Sequence, residues 1–100
     1  MIIVVVPEAA DEFDSSAARY DEKEPGLGQR FRDEVDHYIR WIAANSDVPR
    51  LRPAGYRRVN LQVFPHYIAY VRLDDTIWIL AIGHGHREPE YWIGRKRNIE

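Results

Sequence analysis

The sequence has 100 residues, 45% of them hydrophobic, a formal net charge of −2 and no cysteine. A chain of this length fits one domain, residues 1–100, and the lack of cysteine excludes disulfides and thiolate metal sites. No segment approaches the roughly 20 apolar residues of a membrane span, and Met1–Pro7 lacks the basic start of a signal peptide, so we expect a cytoplasmic protein with no membrane partner.

The charge is divided unevenly along the chain. Residues 1–49 contain 5 Lys/Arg against 11 Asp/Glu, whereas residues 50–100 contain 9 against 5. A basic C-terminal half is suited to phosphate or to an acidic partner. The alternative is that the first half carries its acidic residues on the solvated faces of helices.

The first half predicts one strand and two helices. Ile2–Val6 is an unbroken β-branched run, typical of a strand buried on both faces. Pro7 suits the first turn of a helix that helical spacing extends to about Lys23. The EPGLG break at 24–28 precedes a second helix that ends near Asn45. Its apolar positions are Leu27, Phe31, Val35, Ile39 and Ile42.

The second half predicts three strands, because its apolar period changes to two. These strands are Arg57–Val63, Tyr67–Leu73 and Thr76–Gly83, with a tight turn at 74–75 and a short helix from Glu90. In the first of them, Val59, Leu61 and Val63 share a face. The predicted fold is α+β with the order β-α-α-β-β-β, a helical hairpin packed on one face of a small, mostly antiparallel twisted sheet.

The histidines that follow the last strand are the first candidate site. His84 and His86 share a face of an extended segment. A metal needs three or four ligands and the chain has only two other histidines, so we expect no metal and no cofactor. Acid–base chemistry by one of the pair is a second interpretation, because histidine titrates near neutral pH. The third is an exposed polar exit from the sheet.

Arginines and aromatic residues are the candidate binding groups. Guanidinium groups match phosphate and carboxylate geometry, which favours Arg57, Arg58, Arg87 and Arg95 as anion contacts. Solvation, or salt bridges to the acidic helices, is the alternative. Tyr91 and Trp92 lie outside any periodic segment. They either stack on a partner or anchor the tail on the sheet.

Several short motifs, in this order and spacing, resemble the RelE/ParE superfamily of bacterial type II toxins, sometimes labelled plasmid-stabilisation proteins. The resemblance covers nearly the whole chain. The motifs are EAADE (8–12), PGLGQRF (25–31), EV (34–35), YRRV (56–59), FP (64–65), ILAIGH (79–84) and REPEYW (87–92), followed by Arg95. The resemblance implies a toxin held inactive by a cognate antitoxin that is encoded adjacently and wraps the helices and the sheet.

The two branches of this superfamily imply different functions. RelE-like members are ribosome-dependent mRNA endoribonucleases with basic residues, a strand arginine and a C-terminal aromatic residue. ParE-like members inhibit DNA gyrase and so arrest growth. Similarity to the nuclease branch would assign catalysis to His84, Arg87 and Tyr91.

The strand position favours the ParE-like branch. Tyr67 and Ile68 stand where the nuclease branch has its arginine, and no lysine falls between Lys23 and Lys96. A net charge of −2 also fits poorly with docking on ribosomal RNA. We therefore expect a gyrase-directed toxin that contacts its target or antitoxin through Arg57, Arg58, Arg87, Trp92 and Arg95. An mRNA endoribonuclease, or a non-toxic binding module, is the alternative.

Overall fold

Two helices lie on one face of a four-stranded sheet in the computed structural model, which describes all 100 residues. The elements are β1 (Ile2–Val5), α1 (Pro7–Lys23), α2 (Leu27–Ala44), β2 (Arg57–Asn60), β3 (His66–Leu73) and β4 (Thr76–His84), followed by a 3₁₀ helix (Ile93–Asn98). The predicted order and the α+β hairpin-on-sheet architecture are confirmed. The predicted helix after Glu90 begins at Ile93 and has 3₁₀ geometry.

The sheet has the order β1-β4-β3-β2, with β1 parallel to β4 and the other pairs antiparallel. The first strand of the chain therefore sits at one edge, beside the last strand. The prediction that β1 is buried on both faces is wrong, since Ile2 is 60% exposed. As an edge strand, β1 is flanked on one side only, and among the strands it is β4 against which α1 mainly packs.

Strand β2 is shorter than predicted, because it ends at Asn60 and not at Val63. The backbone N–H of Leu61 donates to the His66 carbonyl at 2.9 Å, which turns the chain back on itself. The carboxylate of Glu34 on α2 then accepts the next free N–H groups, at 3.1 Å from Val63 and 3.3 Å from Phe64. Val63 consequently points to solvent. Of the three residues predicted to share a face of this strand, only Leu61 is buried.

The helical hairpin is closed at its turn by a glycine. The backbone N–H of Gly28 donates to the Asp21 carboxylate at 2.8 Å, so α2 starts directly against α1. Further along α2, the Phe31 ring packs edge-on against Phe64, with the centroids 5.3 Å apart. Phe31, Val35 and Ile42 are fully buried, as the apolar spacing predicts.

The C-terminal tail covers the other face of the sheet. Neighbouring side chains in a strand point to opposite faces. In β3, His66 contacts Phe31 of α2, whereas the hydroxyl of Tyr67 accepts a hydrogen bond from Trp92 Nε1 at 2.8 Å. The sheet is therefore enclosed by the hairpin on one side and by the Trp92 segment on the other.

Candidate functional site

The structure brings His84, Arg87 and Tyr91 together beside α1. They line a groove of about 260 Å³, which we call the His84 groove, together with α1 residues that include Glu12 and Arg19. The Arg87 guanidinium lies 3.8 Å from the centroid of the Tyr91 ring, a cation–π geometry. Arg87 is exposed and has no carboxylate partner within salt-bridge distance. The groove therefore offers the Arg87 guanidinium and the His84 imidazole to a partner, beside the guanidinium of Arg19.

Tyr91 is held by a carboxylate of α1 that lies 79 positions earlier in the chain. Its hydroxyl donates to Glu12, which also accepts from both terminal nitrogens of Arg95 at 3.0 and 3.1 Å. Burial raises the pKa of Tyr91, and the hydrogen bond to Glu12 raises it further. The phenol consequently stays protonated at neutral pH and its proton is already donated, which makes it a poor acid or base in this arrangement.

Glu12 and Arg95 also form hydrogen bonds with backbone groups at the edge of β4. β1 pairs with β4 only as far as Ile79, so the edge beyond has unpaired backbone groups. The carboxylate of Glu12 accepts from the Ile82 N–H at 3.2 Å, and Arg95 donates to the Leu80 carbonyl at 2.9 Å. Burial alone would lower the pKa of Arg95, but the hydrogen bond and charge of Glu12 raise it. Arg95 is thus occupied inside the protein and does not fit the predicted partner contact.

Trp92 does not fit a binding role in this conformation either, because it is 1% exposed. Its indole packs edge-on against Tyr56, with the centroids 4.5 Å apart, in addition to its hydrogen bond with Tyr67. This geometry fits the interpretation in which Trp92 anchors the tail on the sheet.

Arg57 and Arg58 are adjacent in β2 but have different surroundings. Arg57 is partly buried and donates to the carbonyls of Asp47 and Pro49 at 3.1 and 2.6 Å, so it holds the loop before the strand. The Arg58 guanidinium lies 3.8 Å from the Tyr67 ring centroid and donates to the Asn60 side chain at 2.9 Å, without a carboxylate partner. Among the predicted binding arginines, Arg58 and Arg87 therefore remain available.

Three histidines lie at the end of the sheet between these arginines. The rings of His66 and His84 are 5.0 Å apart and those of His84 and His86 are 4.7 Å apart, measured between centroids. Burial, with the charge of His84, lowers the pKa of His66 to about 4. Burial, with the charge of His86, also lowers the pKa of His84. No group of three or more His, Cys, Asp or Glu side chains has an arrangement that could hold a metal ion.

An apolar groove lies on the opposite side of α1, between the two helices and the sheet. It encloses about 270 Å³ and is lined mostly by apolar side chains. The lining residues are Val5, Ala10, Phe13, Asp14, Val35, Asp36, Ile39 and Ile82. Both aspartates already have arginine partners, Arg32 at 3.2 Å from Asp14 and Arg40 at 2.6 Å from Asp36. An apolar slot with a rim of alternating charge suits an amphipathic segment.

A helical hairpin on a small sheet, with free arginines at one margin and an apolar slot between its helices, is an arrangement suited to binding another macromolecule. The family model for the ParE toxin of type II toxin–antitoxin systems, parDE, matches residues 3–89, so the chain belongs to this family. It is the toxin component of a type II toxin–antitoxin system, and the family implies an antitoxin partner.

A solved structure gives the same fold. The chain is similar to a protein of the "Chromosomal ParDE TA system from P. aeruginosa", with a TM-score of 0.72 and 19% sequence identity over 84% of this chain and 95% of that one. A search of curated protein sequences gave no match. None of the helices is both long and apolar enough to cross a membrane.

Proposed function

We propose that the free toxin binds DNA gyrase and thereby arrests growth, stabilising the replicon that encodes it. The observation that carries this proposal is the match to the ParE toxin model over residues 3–89. The guanidinium groups of exposed Arg87 and half-buried Arg58, each stacked on a tyrosine ring and free of ion pairs, support a protein- or DNA-directed contact. Purified toxin should block supercoiling by gyrase, and supercoiling that proceeds normally in excess toxin would remove this target.

The antitoxin is the partner that keeps the toxin inactive, and we propose that one of its segments occupies the apolar groove beside α1. The groove leaves Phe13 and Ile39 partly exposed and is bordered by the charged pairs of Asp14 and Asp36. A segment that folds on binding would bury this surface, and its basic and acidic side chains would meet the rim. The groove lies on the side of α1 away from Arg87, so antitoxin there would act by covering α1 or by wrapping further around the sheet.

The second candidate function is mRNA endoribonuclease activity, because the structure gathers His84, Arg87 and Tyr91 around one groove. Two observations weaken it. The strand arginine of the nuclease branch is replaced by Tyr67 or Ile68, and the Tyr91 hydroxyl is committed to Glu12. Cleavage of mRNA on translating ribosomes that is lost on Arg87→Ala or Tyr91→Phe would establish the nuclease in place of the gyrase inhibitor.

A further inference from the structure

A second, smaller polar cleft adjoins the His84 groove near the C-terminal half of α1. It encloses about 120 Å³, less than half the volume of the apolar groove. We call it the Arg19 cleft. The lining residues are Ser16, Arg19, Tyr20, Lys23, His66 and His84.

The lining of the Arg19 cleft contains permanent positive charge and no carboxylate. Neither Arg19 nor Lys23 forms a salt bridge within the chain. Arg19 donates to the Ser16 hydroxyl at 3.2 Å, and the Lys23 ammonium lies 5.8 Å from the centroid of the Tyr20 ring. Two cations without counter-ions therefore face one polar cleft, although the helix that carries them is rich in acidic residues.

The buried wall of the Arg19 cleft has an unsatisfied polar atom. His66 is 4% exposed, and its Nε2 is paired with the Tyr20 hydroxyl at 3.0 Å. Its Nδ1 is buried without a partner in hydrogen-bond geometry, although the Gly83 carbonyl faces the ring. The Nε2 side of the ring, through the Tyr20 hydroxyl, is therefore the side that joins the lining of the Arg19 cleft, and Nδ1 adds no contact to a ligand there.

The two imidazoles report the electrostatic potential of the cleft. Burial lowers the pKa of His84, and the charges of His86, Arg19 and Lys23 lower it further. The pKa of His66 is lowered by burial and by the charges of His84 and Arg19. Both rings are consequently neutral at neutral pH, and an arriving anion would favour their protonation.

We propose that the Arg19 cleft is a binding site for a phosphate group. The guanidinium of Arg19, the ammonium of Lys23 and the hydroxyl of Ser16 offer more donors than the two oxygens of a carboxylate can accept, and they match a phosphate with its additional oxygens. A volume of about 120 Å³ corresponds to the share of about four water molecules in the liquid, which is comparable with one phosphate group. The site does not depend on the gyrase target and does not include Tyr91.

Calorimetric titration with inorganic phosphate tests the site directly. We expect binding by the purified wild-type chain, weakened at least about tenfold by Arg19→Ala or by Lys23→Ala, since each removes a charge-assisted hydrogen bond. Arg97→Ala removes an exposed cation of the tail and is the matched control, with unchanged affinity expected. Thermal midpoints of all variants would show that the fold is intact. Absence of binding by the wild type, or an equal loss in Arg97→Ala, overturns the proposal.

Nuclear magnetic resonance of the histidine rings distinguishes phosphate bound in the cleft from nonspecific attraction of phosphate to a positively charged surface. Phosphate in the cleft should raise the pKa of His84, which faces Arg19 and Lys23 of α1, His66 of β3 and His86 of the following loop. The ring signals of His37, an exposed histidine on α2, should not move when phosphate is added. An unchanged His84 under saturating phosphate contradicts binding in the cleft.

Two RNA oligonucleotides that differ only at the 5′ end distinguish a terminal phosphate from a backbone phosphodiester as the ligand. Tighter binding of the 5′-phosphorylated strand, lost in Arg19→Ala, identifies a terminal phosphate as the ligand. Equal, Arg19-dependent binding of the 5′-hydroxyl strand identifies a backbone phosphodiester. A glutamate-rich peptide that binds as tightly as phosphate through Arg19 would overturn the assignment in favour of a carboxylate partner.

Discussion

Glu12 is the side chain on which the position of the C-terminal tail depends. It accepts hydrogen bonds from Ile82, Tyr91 and Arg95, and neither Glu12 nor Arg95 is more than about a fifth exposed, at 16% and 18%. Glu12→Ala leaves Arg95 without its carboxylate and should lower the free energy of unfolding by about 3 kcal/mol. Urea denaturation measures this change.

The matched control is Asp36→Ala, which removes an exposed ion pair with Arg40 on α2. Exposed pairs of this kind contribute less than about 1 kcal/mol. Equal losses in the two variants would mean that the Glu12 network adds no more to stability than a surface pair does.

His66 makes the stability of the fold dependent on pH. Its pKa is about 4 in the folded chain and about 6.5 when unfolded, so below 6.5 the unfolded chain takes up a proton that the folded chain does not. The free energy of unfolding is therefore unaffected well above 6.5 and falls as the pH drops towards 4. Between about pH 7 and pH 5 we expect a loss of about 2 kcal/mol from this ring.

Urea denaturation at several pH values measures this loss, with two histidine substitutions for comparison. His66→Gln should flatten the dependence between about pH 7 and pH 5, whereas His37→Gln, which replaces an exposed histidine, should leave it in place. A wild-type profile that is flat over this interval, or unchanged by His66→Gln, contradicts the role of the buried imidazole.

The helical hairpin depends on the close approach of α2 to α1 at Gly28. A methyl group there would lie 2.6 Å from the Asp21 carboxylate and closer still to the Ala17 carbonyl, which is backbone and cannot move aside. Gly28→Ala should therefore lower the thermal midpoint by several degrees, in spite of the higher helix propensity of alanine. Gly94→Ala meets no atom within 4 Å and serves as the control, with little change expected. A midpoint that rises in Gly28→Ala would show that the helices are further apart.

Phe31 joins the hairpin to the sheet through Phe64 and His66. Removing this fully buried ring in Phe31→Ala should cost about 3–5 kcal/mol. Val63→Ala truncates an apolar side chain that is 68% exposed, and it should change stability by no more than about 0.5 kcal/mol. Equal values for both substitutions in chemical denaturation would contradict the register of α2.

The elements that could be predicted are those determined by local periodicity. The four-residue spacing of apolar positions defines α2, and apolar runs on either side of the turn at 74–75 define β3 and β4, so these elements lie within one or two residues of their predicted ends. The early end of β2 could not be predicted, because it results from Glu34 capping the backbone of Val63, 29 positions away. The exposure of β1 results from its position at the edge of the sheet, which cannot be inferred from the sequence of Ile2–Val5 alone.

The candidate site was less predictable than the fold, for a related reason. His84, Arg87 and Tyr91 are close in sequence, and their meeting in one groove follows from that. Glu12 and Arg95 meet across 83 positions, so no local pattern around either residue indicates that they pair. Trp92 showed no periodicity by which burial could be distinguished from exposure.

At the level of the whole molecule, the two sides of α1 have different chemistry. One side borders the apolar groove, where Ala10 lies, and the other borders the polar His84 groove and the Arg19 cleft. This division suits a toxin that one partner neutralises through apolar contacts while charged residues remain for a target. Ala10→Glu would place a charge in the apolar groove and should weaken the antitoxin complex. Ala18→Glu makes the same change at an exposed position of the same helix and is the matched control.

Growth after induction, with and without a co-produced cognate antitoxin, is the measurement that tests this account most directly. We expect the wild-type toxin, Ala10→Glu and Ala18→Glu each to arrest growth when produced alone. Co-produced antitoxin should restore growth for the wild type and Ala18→Glu but not for Ala10→Glu. Normal growth of cells that produce the wild-type chain without antitoxin would contradict the account.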